Sequence, residues 1–175
     1  TELQEKNIHH TLKLNGTIDV PPQNLVSVSS ALGGRVQSTK LLPGMHFRKG
    51  EILVTLEDNQ YIQLQQDYLT TKAQLQNARE EYNRQKELNQ SKASSDKVFQ
   101  QAQADYRILE ASLAALEQKL QLIHINSNQI SVNNIKRTSN IYAPFDGYVT
   151  KVMVNIGKYV SPSDVLFELV DPRDI

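Results

Sequence analysis

The sequence predicts an α+β fold in which a β region is interrupted by a long antiparallel pair of helices. Three observations predict it. Glycine and proline are confined to the two end portions of the 175-residue chain, an apolar heptad pattern fills the interval between them, and one β-type segment occurs on both sides of that interval. Strand-rich and helix-rich stretches are thus separated along the chain, which is the pattern of the α+β class.

The helical interval is defined by what it lacks and by its periodicity. All seven glycines and all six prolines lie outside residues 51–143. Both residue types disfavour helix interiors, so their absence predicts long uninterrupted helix. Within it, residues recur at alternating steps of three and four, the spacing of a coiled-coil seam. The first stripe is Tyr61, Leu64, Tyr68, Thr71, Leu75, Ala78 and Tyr82; the second is Phe99, Ala102, Tyr106, Leu109, Leu113, Leu116, Leu120 and Ile123.

A polar stretch at residues 89–96 separates the two stripes and predicts a turn. Ser94 or Ser95 is a suitable N-cap for the second helix, and Asp96 would lie favourably at its positive end. The pattern therefore predicts an antiparallel hairpin of two arms, each about 30 residues and roughly 45 Å long. The second arm is expected to end near Asn126, where a run rich in Asn and Ser begins.

The β-type segment is repeated with a constant offset of 113 residues. Residues 34–58 align with residues 147–171 without a gap, and six of the 25 positions are identical. The identical pairs are Gly34/Gly147, Val36/Val149, Gly44/Gly157, Leu53/Leu166, Leu56/Leu169 and Asp58/Asp171. Glycines suit turns, and aliphatic residues at alternate positions suit strands. Neither copy could bury its apolar face alone, so the two are expected to pack as a pseudo-symmetric β-sandwich.

Two further strands are predicted before the first copy, at residues 12–20 and 25–28. The first alternates apolar and polar residues and is ended by Pro21 and Pro22.

Composition and motifs exclude several function classes. Nineteen basic side chains balance nineteen acidic ones, so no electrostatic footprint for nucleic acid exists. The chain has no cysteine, no run approaching a membrane span, and no nucleotide-binding or nucleophile motif. The four histidines lack metal-ligand spacing. We therefore expect no enzyme activity, no metal site and no cofactor. The histidines are His9, His10, His46 and His124.

Two β half-motifs split by a helical hairpin resemble the periplasmic adaptors, or membrane fusion proteins, of tripartite resistance-nodulation-division efflux pumps. The resemblance rests on GGRVQSTKLLPGMHFRKGEILVTLED and IYAPFDGYVTKVMVNIGKYVSPSDVLFELVDP, the second of which contains an A-P-F-D-G-x-V run that is typical of adaptors. It extends from Leu12 to Pro172 and is most similar to the heavy-metal (cation) efflux branch.

The resemblance implies a lipoyl-like β-sandwich, or barrel-sandwich hybrid, split by a coiled-coil hairpin. Residues 23–58 and 135–172 would be its halves, residues 59–132 the hairpin, and residues 1–22 a strand region leading from a β-barrel domain. It implies a non-catalytic protein that links an inner-membrane transporter to an outer-membrane channel and packs in a ring, hexameric in the family. The location implied is the periplasm, with anchoring to the inner membrane through a segment absent from this chain, and with no bound cofactor.

The resemblance also implies a docking motif, R-x-x-x-L-x-x-x-x-x-x-S, at the hairpin tip. Arg84, Leu88 and Ser95 have this spacing across the predicted turn. Each also has an ordinary structural role open to it, respectively a solvated side chain, tip packing and an N-cap.

Three alternatives come from other readings of the same residues. Asp96-Lys97-Val98 is similar to the modified-lysine context of lipoyl and biotinyl carriers, although a carrier lysine sits on a tight β-turn and Lys97 would begin a helix. An adaptor of an ABC-type or type I secretion system is a second alternative, and a coiled-coil scaffold without a transport role is a third.

Overall fold

The computed structural model describes residues 24–172. It contains two long helices between two groups of four strands, in agreement with the α+β class. The predicted strand at 12–20 and the region 1–22 lie outside the described residues. In chain order the elements are β1 (Leu25–Ser29), β2 (Gly34–Thr39), β3 (His46–Phe47), β4 (Ile52–Glu57), α1 (Asn59–Gln90), α2 (Asp96–Leu122), a 3₁₀ turn (Ser127–Gln129), β5 (Thr138–Tyr142), β6 (Gly147–Val152), β7 (Tyr159–Val160) and β8 (Val165–Val170).

The strands form two four-stranded antiparallel sheets, and each sheet combines strands from both ends of the described chain. The first sheet has the order β1-β8-β6-β3 and the second the order β5-β4-β2-β7. Each central pair comes from one end of the chain and each edge pair from the other. Neither end can complete a sheet by itself, so folding requires the two ends to meet.

The repeat extends further than the sequence alignment indicates. The offset of 113 residues relates the bounds of all four strand pairs, including β1 and β5, which have no identical residue at any aligned position. Bulges fall at the equivalent residues Gln37 and Thr150, which the ladder registers skip. Two turn hydrogen bonds also repeat, since the amides of Gly44 and Gly157 donate to carbonyls of the opposite half at 2.7 and 2.8 Å. The pseudo-symmetry is therefore carried by backbone pairing as well as by side chains.

The core between the strands is built from equivalent pairs. These side chains are buried in the core, and none is more than 1% exposed. Burying each contributes about 1.5–3 kcal/mol relative to exposure. The pairs are Val36/Val149, Phe47/Val160, Leu53/Leu166 and Leu56/Leu169.

The helices lie antiparallel, because Tyr68 near the start of α1 contacts Glu117 near the end of α2, whereas Tyr82 stacks on Phe99 and Tyr106. Every residue of the two predicted stripes is buried or half-buried. At 1.5 Å per residue, α1 and α2 are about 48 and about 40 Å long. The second helix ends at Leu122, earlier than expected, with His124 at φ 58°.

Three side chains fasten the base of the helix pair to the sheets. The phenol of Tyr61 donates to the carbonyl of Gly33 at 2.9 Å. The buried amide of Gln65 donates to the carbonyl of Lys136 at 2.6 Å and accepts from its N–H at 3.0 Å. The hydroxyl of Ser139 donates to the Ile123 carbonyl at 2.9 Å, which satisfies a group at the end of α2. These contacts fix the base of the α1–α2 helix pair, a rod-like element, against the sheets.

The buried phenol of Tyr61 makes stability depend on pH in the alkaline range. Burial raises the pKa of Tyr61 to about 12, and a hydrogen bond with Ser30 acts in the opposite direction. The unfolded phenol ionises near pH 10, so the stabilisation is complete below pH 10 and is lost as pH rises through about 10 to 12, by about 3 kcal/mol in all.

Urea unfolding of the wild type and of Tyr61→Phe at several pH values checks this prediction. At pH 8 the variant should be about 1 kcal/mol less stable, because one hydrogen bond is lost while Gln60 still donates to the Gly33 carbonyl. Near pH 12 the order should reverse. If the stabilities of the wild type and the variant change in parallel with pH, burial does not raise the pKa of Tyr61.

Candidate functional site

The turn that joins the helices is organised around the carbonyl of Leu88. This oxygen accepts from the backbone amides of Ala93 at 2.7 Å and Ser94 at 3.2 Å, and from the hydroxyl of Ser91 at 2.9 Å. Lys92 takes a left-handed conformation with φ 62°, which allows the chain to reverse within five residues. The helix terminus is thereby closed with its carbonyl satisfied.

The second helix begins at a side-chain cap. Ser95 has an extended backbone, and its hydroxyl accepts from the Val98 amide at 3.4 Å. Of the two serines that suit this role by sequence, the structure uses Ser95. Asp96 occupies the first turn, where its charge complements the positive helix end.

Ser94 instead links the turn to the first helix. Its hydroxyl donates to the side-chain carbonyl of Gln85 at 2.8 Å. Closer to the end of α1, the side-chain amide of Asn89 donates to the carboxylate of Asp96 at 2.7 Å. Two hydrogen bonds between side chains therefore cross the turn, and the Asn89 amide also donates to the Ser94 carbonyl at 3.4 Å, so the ends of the two helices are fixed relative to each other.

Arg84 is paired with an acidic neighbour on its own helix. Its Nε donates to Oε2 of Glu81 at 3.0 Å, and its Nη2 donates to the same oxygen. The other oxygen of Glu81 accepts from the amide of Gln85 at 2.8 Å. The hydrogen bonds from Arg84 and then Gln85 hold the pKa of Glu81 below its ordinary value, and Glu81 raises the pKa of Arg84. Both groups are charged at neutral pH.

An aromatic stack supports the tip from below. The ring of Tyr82 lies 5.8 Å from that of Phe99 and 5.5 Å from that of Tyr106, with interplanar angles of 24° and 15°. The phenol of Tyr106 donates to Glu110 at 2.9 Å, and this bond raises its pKa. Offset aromatic pairs contribute about 0.5–1.5 kcal/mol beyond area burial. The stack stiffens the segment next to the turn.

The structure places all three predicted docking residues at this end of the helix pair, with their side chains exposed. Arg84 and Leu88 lie one turn apart on α1, and Ser95 lies across the turn. Within residues 24–172, no hydrogen bond joins two of them directly. Arg84 is instead linked through Glu81 and Gln85 to Ser94, the neighbour of Ser95. The sequence pattern singled out Ser94 only as an alternative N-cap, and it did not single out Glu81 or Gln85.

Other candidate residues have local packing roles. Lys97 is exposed in the first turn of α2 and not on a β-turn, unlike a carrier lysine. The ring of His46 packs edge-on against Tyr148 at 5.0 Å, and that of His124 against Tyr142 at 5.4 Å. His9 and His10 lie outside the described residues.

Across residues 24–172, no three His, Asp or Glu side chains are grouped so that they could hold a metal ion. In the same part of the chain, neither helix combines the length and the apolar character that crossing a membrane requires.

No family model matches the chain, but individual proteins and structures do. It is 24% identical over 156 residues to the cobalt-zinc-cadmium resistance protein CzcB of Cupriavidus metallidurans, covering 89% of this chain and 29% of that protein. It is 28% identical over 156 residues to the multidrug resistance protein MdtA of Pantoea ananatis, covering 86% and 36% respectively. The chain thus spans about a third of the length of these relatives.

A solved structure has a similar fold. The crystal structure of ZneB from Cupriavidus metallidurans aligns with a TM-score of 0.60 and 25% identity, over 86% of this chain and 62% of that one. The similarity in fold and in sequence thus points to the same group of proteins. The chain is a relative of the membrane fusion proteins, the periplasmic adaptors of efflux pumps, and the heavy-metal branch is among its relatives.

Proposed function

We propose that this chain is the hairpin-bearing part of a non-catalytic periplasmic adaptor, which connects an inner-membrane efflux transporter to an outer-membrane channel. The observation that carries the proposal is the arrangement of the helix pair. Two helices of 32 and 27 residues rise from the sheets and end in an ordered, exposed turn that presents Arg84, Leu88 and Ser95. A stiff rod fixed at its foot can hold its tip at a constant reach.

The domain boundaries are part of the same proposal. In it residues 23–58 and 135–172 form a lipoyl-like sandwich, residues 59–132 form a coiled-coil hairpin with its tip near 89–96, and residues 1–22 lead from a β-barrel domain. The interleaved sheets and the continuous seam support the sandwich and hairpin assignments, whereas residues 1–22 lie outside the described residues.

The adaptor needs three kinds of contact. The tip would meet the outer-membrane channel, the sandwich would pack against neighbouring copies in a ring, hexameric as in the family, and an inner-membrane transporter would complete the pump. Anchoring to the inner membrane through another segment is part of the same proposal. The relatives bear both cation- and drug-resistance names, so the proposal is restricted to the adaptor role and names no cargo.

Channel docking is tested with substitutions at the tip. We expect Arg84→Asp to weaken crosslinking to the channel at least about tenfold, because an interfacial arginine is often a hot spot. Ser95→Arg should also weaken it, since it places a long charged side chain where a small one lies. The measurement is channel-dependent efflux and site-specific crosslinking in cells, with helix content checked by circular dichroism.

Arg107→Asp is the matched control, because Arg107 is also exposed but lies midway along α2, away from the tip. It should leave efflux and crosslinking unchanged. Wild-type behaviour of both tip variants, with helix content intact, would refute the docking assignment.

A further inference from the structure

We infer that Glu81 is a positioning residue of the tip. Its carboxylate balances the charge of Arg84 and orients the guanidinium, so that the tip binds an uncharged hydrogen-bond acceptor of the channel. The inference rests on the proposed docking function and concerns the chemistry of the partner surface. It starts from the chain of contacts that runs from Arg84 through Glu81 and Gln85 to Ser94.

The first step concerns position. A lone arginine on a helix surface samples many rotamers, and ordering it on binding costs affinity. Here one carboxylate oxygen of Glu81 holds two guanidinium nitrogens, while the other oxygen is held by Gln85. Gln85 in turn accepts from Ser94, the residue next to Ser95. The guanidinium is thus tied to the turn that contains Ser94 and Ser95.

The second step concerns charge. A guanidinium has five N–H donors, and Glu81 engages two of them, so three remain for a partner. A partner carboxylate bound to those three donors would be attracted by Arg84 but repelled by the carboxylate of Glu81. An uncharged oxygen acceptor meets no such repulsion. The local charge balance supports this, since residues 81–98 carry four basic and three acidic side chains and so have no strong field of one sign.

The third step concerns the neighbouring surface. Leu88 and Val98 are both exposed large apolar side chains at the tip, 37% and 46% exposed. A shallow depression that includes Val98 is also lined by Ala102, by Gln101 and by charged side chains of both signs, which are Glu81, Lys97 and Asp105. Apolar contact flanking a few oriented donors suits a partner surface of low charge.

The test measures binding of the full chain to the outer-membrane channel from the same genome, held in nanodiscs. Glu81→Gln is compared with Glu87→Gln, which removes the same charge from the same segment. No hydrogen bond or ion pair among the described residues reaches the side chain of Glu87. Gln85→Met breaks the link to Ser94 without changing any charge. Each protein is measured at about 50 and about 300 mM NaCl, which differ in screening length.

We expect Glu81→Gln and Gln85→Met to weaken binding about three- to tenfold at both salt concentrations, because Arg84 must then be ordered on binding. Glu87→Gln should leave the affinity unchanged. A gain in affinity for Glu81→Gln at low salt that disappears at high salt would overturn the inference, because it would reveal a charged partner group. Unchanged binding by Glu81→Gln or by Gln85→Met would also overturn it.

Arg84→Gln separates this inference from the docking proposal. If Arg84→Gln binds as the wild type does, docking through Arg84 is itself wrong. If Arg84→Gln fails to bind while Glu81→Gln and Gln85→Met bind normally, docking stands and only the positioning role is wrong.

Discussion

Replacing Gly147 with alanine is expected to lower the free energy of unfolding by about 2–4 kcal/mol, whereas the equivalent change at Gly34 costs about 1 kcal/mol. A Cβ at Gly147 would lie 2.2 Å from the carbonyl oxygen of Val170 and 2.9 Å from a ring carbon of Phe145. Backbone must move to make room, since β8 is held between β1 and β6. At Gly34 the nearest atom, the Glu57 carbonyl oxygen, is 3.1 Å away.

The pair is a matched test because the two glycines are related by the repeat. Both begin equivalent strands and both face a carbonyl of the adjacent strand. Chemical and thermal unfolding of the two variants would be compared with the wild type. If the two variants lose equal stability, the short distance to the Val170 carbonyl oxygen is not the reason that position 147 is a glycine.

The repeat shows which features of the fold can be recognised from sequence. Gly34/Gly147 and Leu56/Leu169 are identical because the positions admit few residue types, one for lack of space and the other for burial in the core. Strands β1 and β5 are equivalent in backbone position, but LVSVS and TSNIY have no identical residue at any aligned position. Half-buried strands tolerate many side chains, because the ladder hydrogen bonds do not depend on side-chain identity.

The helix pair was predictable for a similar reason. Residues at heptad spacing face the partner helix and are shielded from solvent whatever their side chain. The seam could therefore be recognised even though it contains Thr71 and Ala78. The exchange of edge strands between the two sheets could not be predicted. A periodic pattern reports which residues are buried, and it does not report which strand lies beside which.

The tip divides in the same way. Arg84, Leu88 and Ser95 stood out through their spacing, but Glu81, Gln85 and Ser94 did not. Glutamate and glutamine are common on exposed helices, and here they acquire a role only because the turn brings Ser94 back against Gln85. That juxtaposition depends on the left-handed conformation of Lys92, a residue that carries no turn signal of its own.

Substitution of Gln65 is expected to have the second large effect on the free energy of unfolding. The chain has seventeen glutamines, and nothing in the sequence separates this one from its neighbours. In the structure it is 1% exposed, and its amide pairs with both backbone groups of Lys136 while also donating to the Tyr61 carbonyl. It therefore joins α1 to the segment that returns from α2 to β5.

We expect Gln65→Leu to lower the free energy of unfolding by about 2–4 kcal/mol, because leucine leaves the N–H and carbonyl of Lys136 without partners in a partly buried position. Gln66→Leu is the control. Gln66 is exposed on the same turn of α1, so this change should stay within about 0.5 kcal/mol. Urea unfolding of both variants gives the two values.

Amide hydrogen exchange distinguishes loss of this joint from a general loss of stability. In Gln65→Leu the Lys136 amide should exchange faster by a larger factor than the amides of the central strands β4 and β8, since only the return segment is released. If the protection of Lys136 falls by the same factor as that of the strands, the segment is held by the fold as a whole and Gln65 is not its fastener. If Lys136 keeps its protection, water or another group replaces the amide, and the base of the rod is secured by Tyr61 and Ser139 alone.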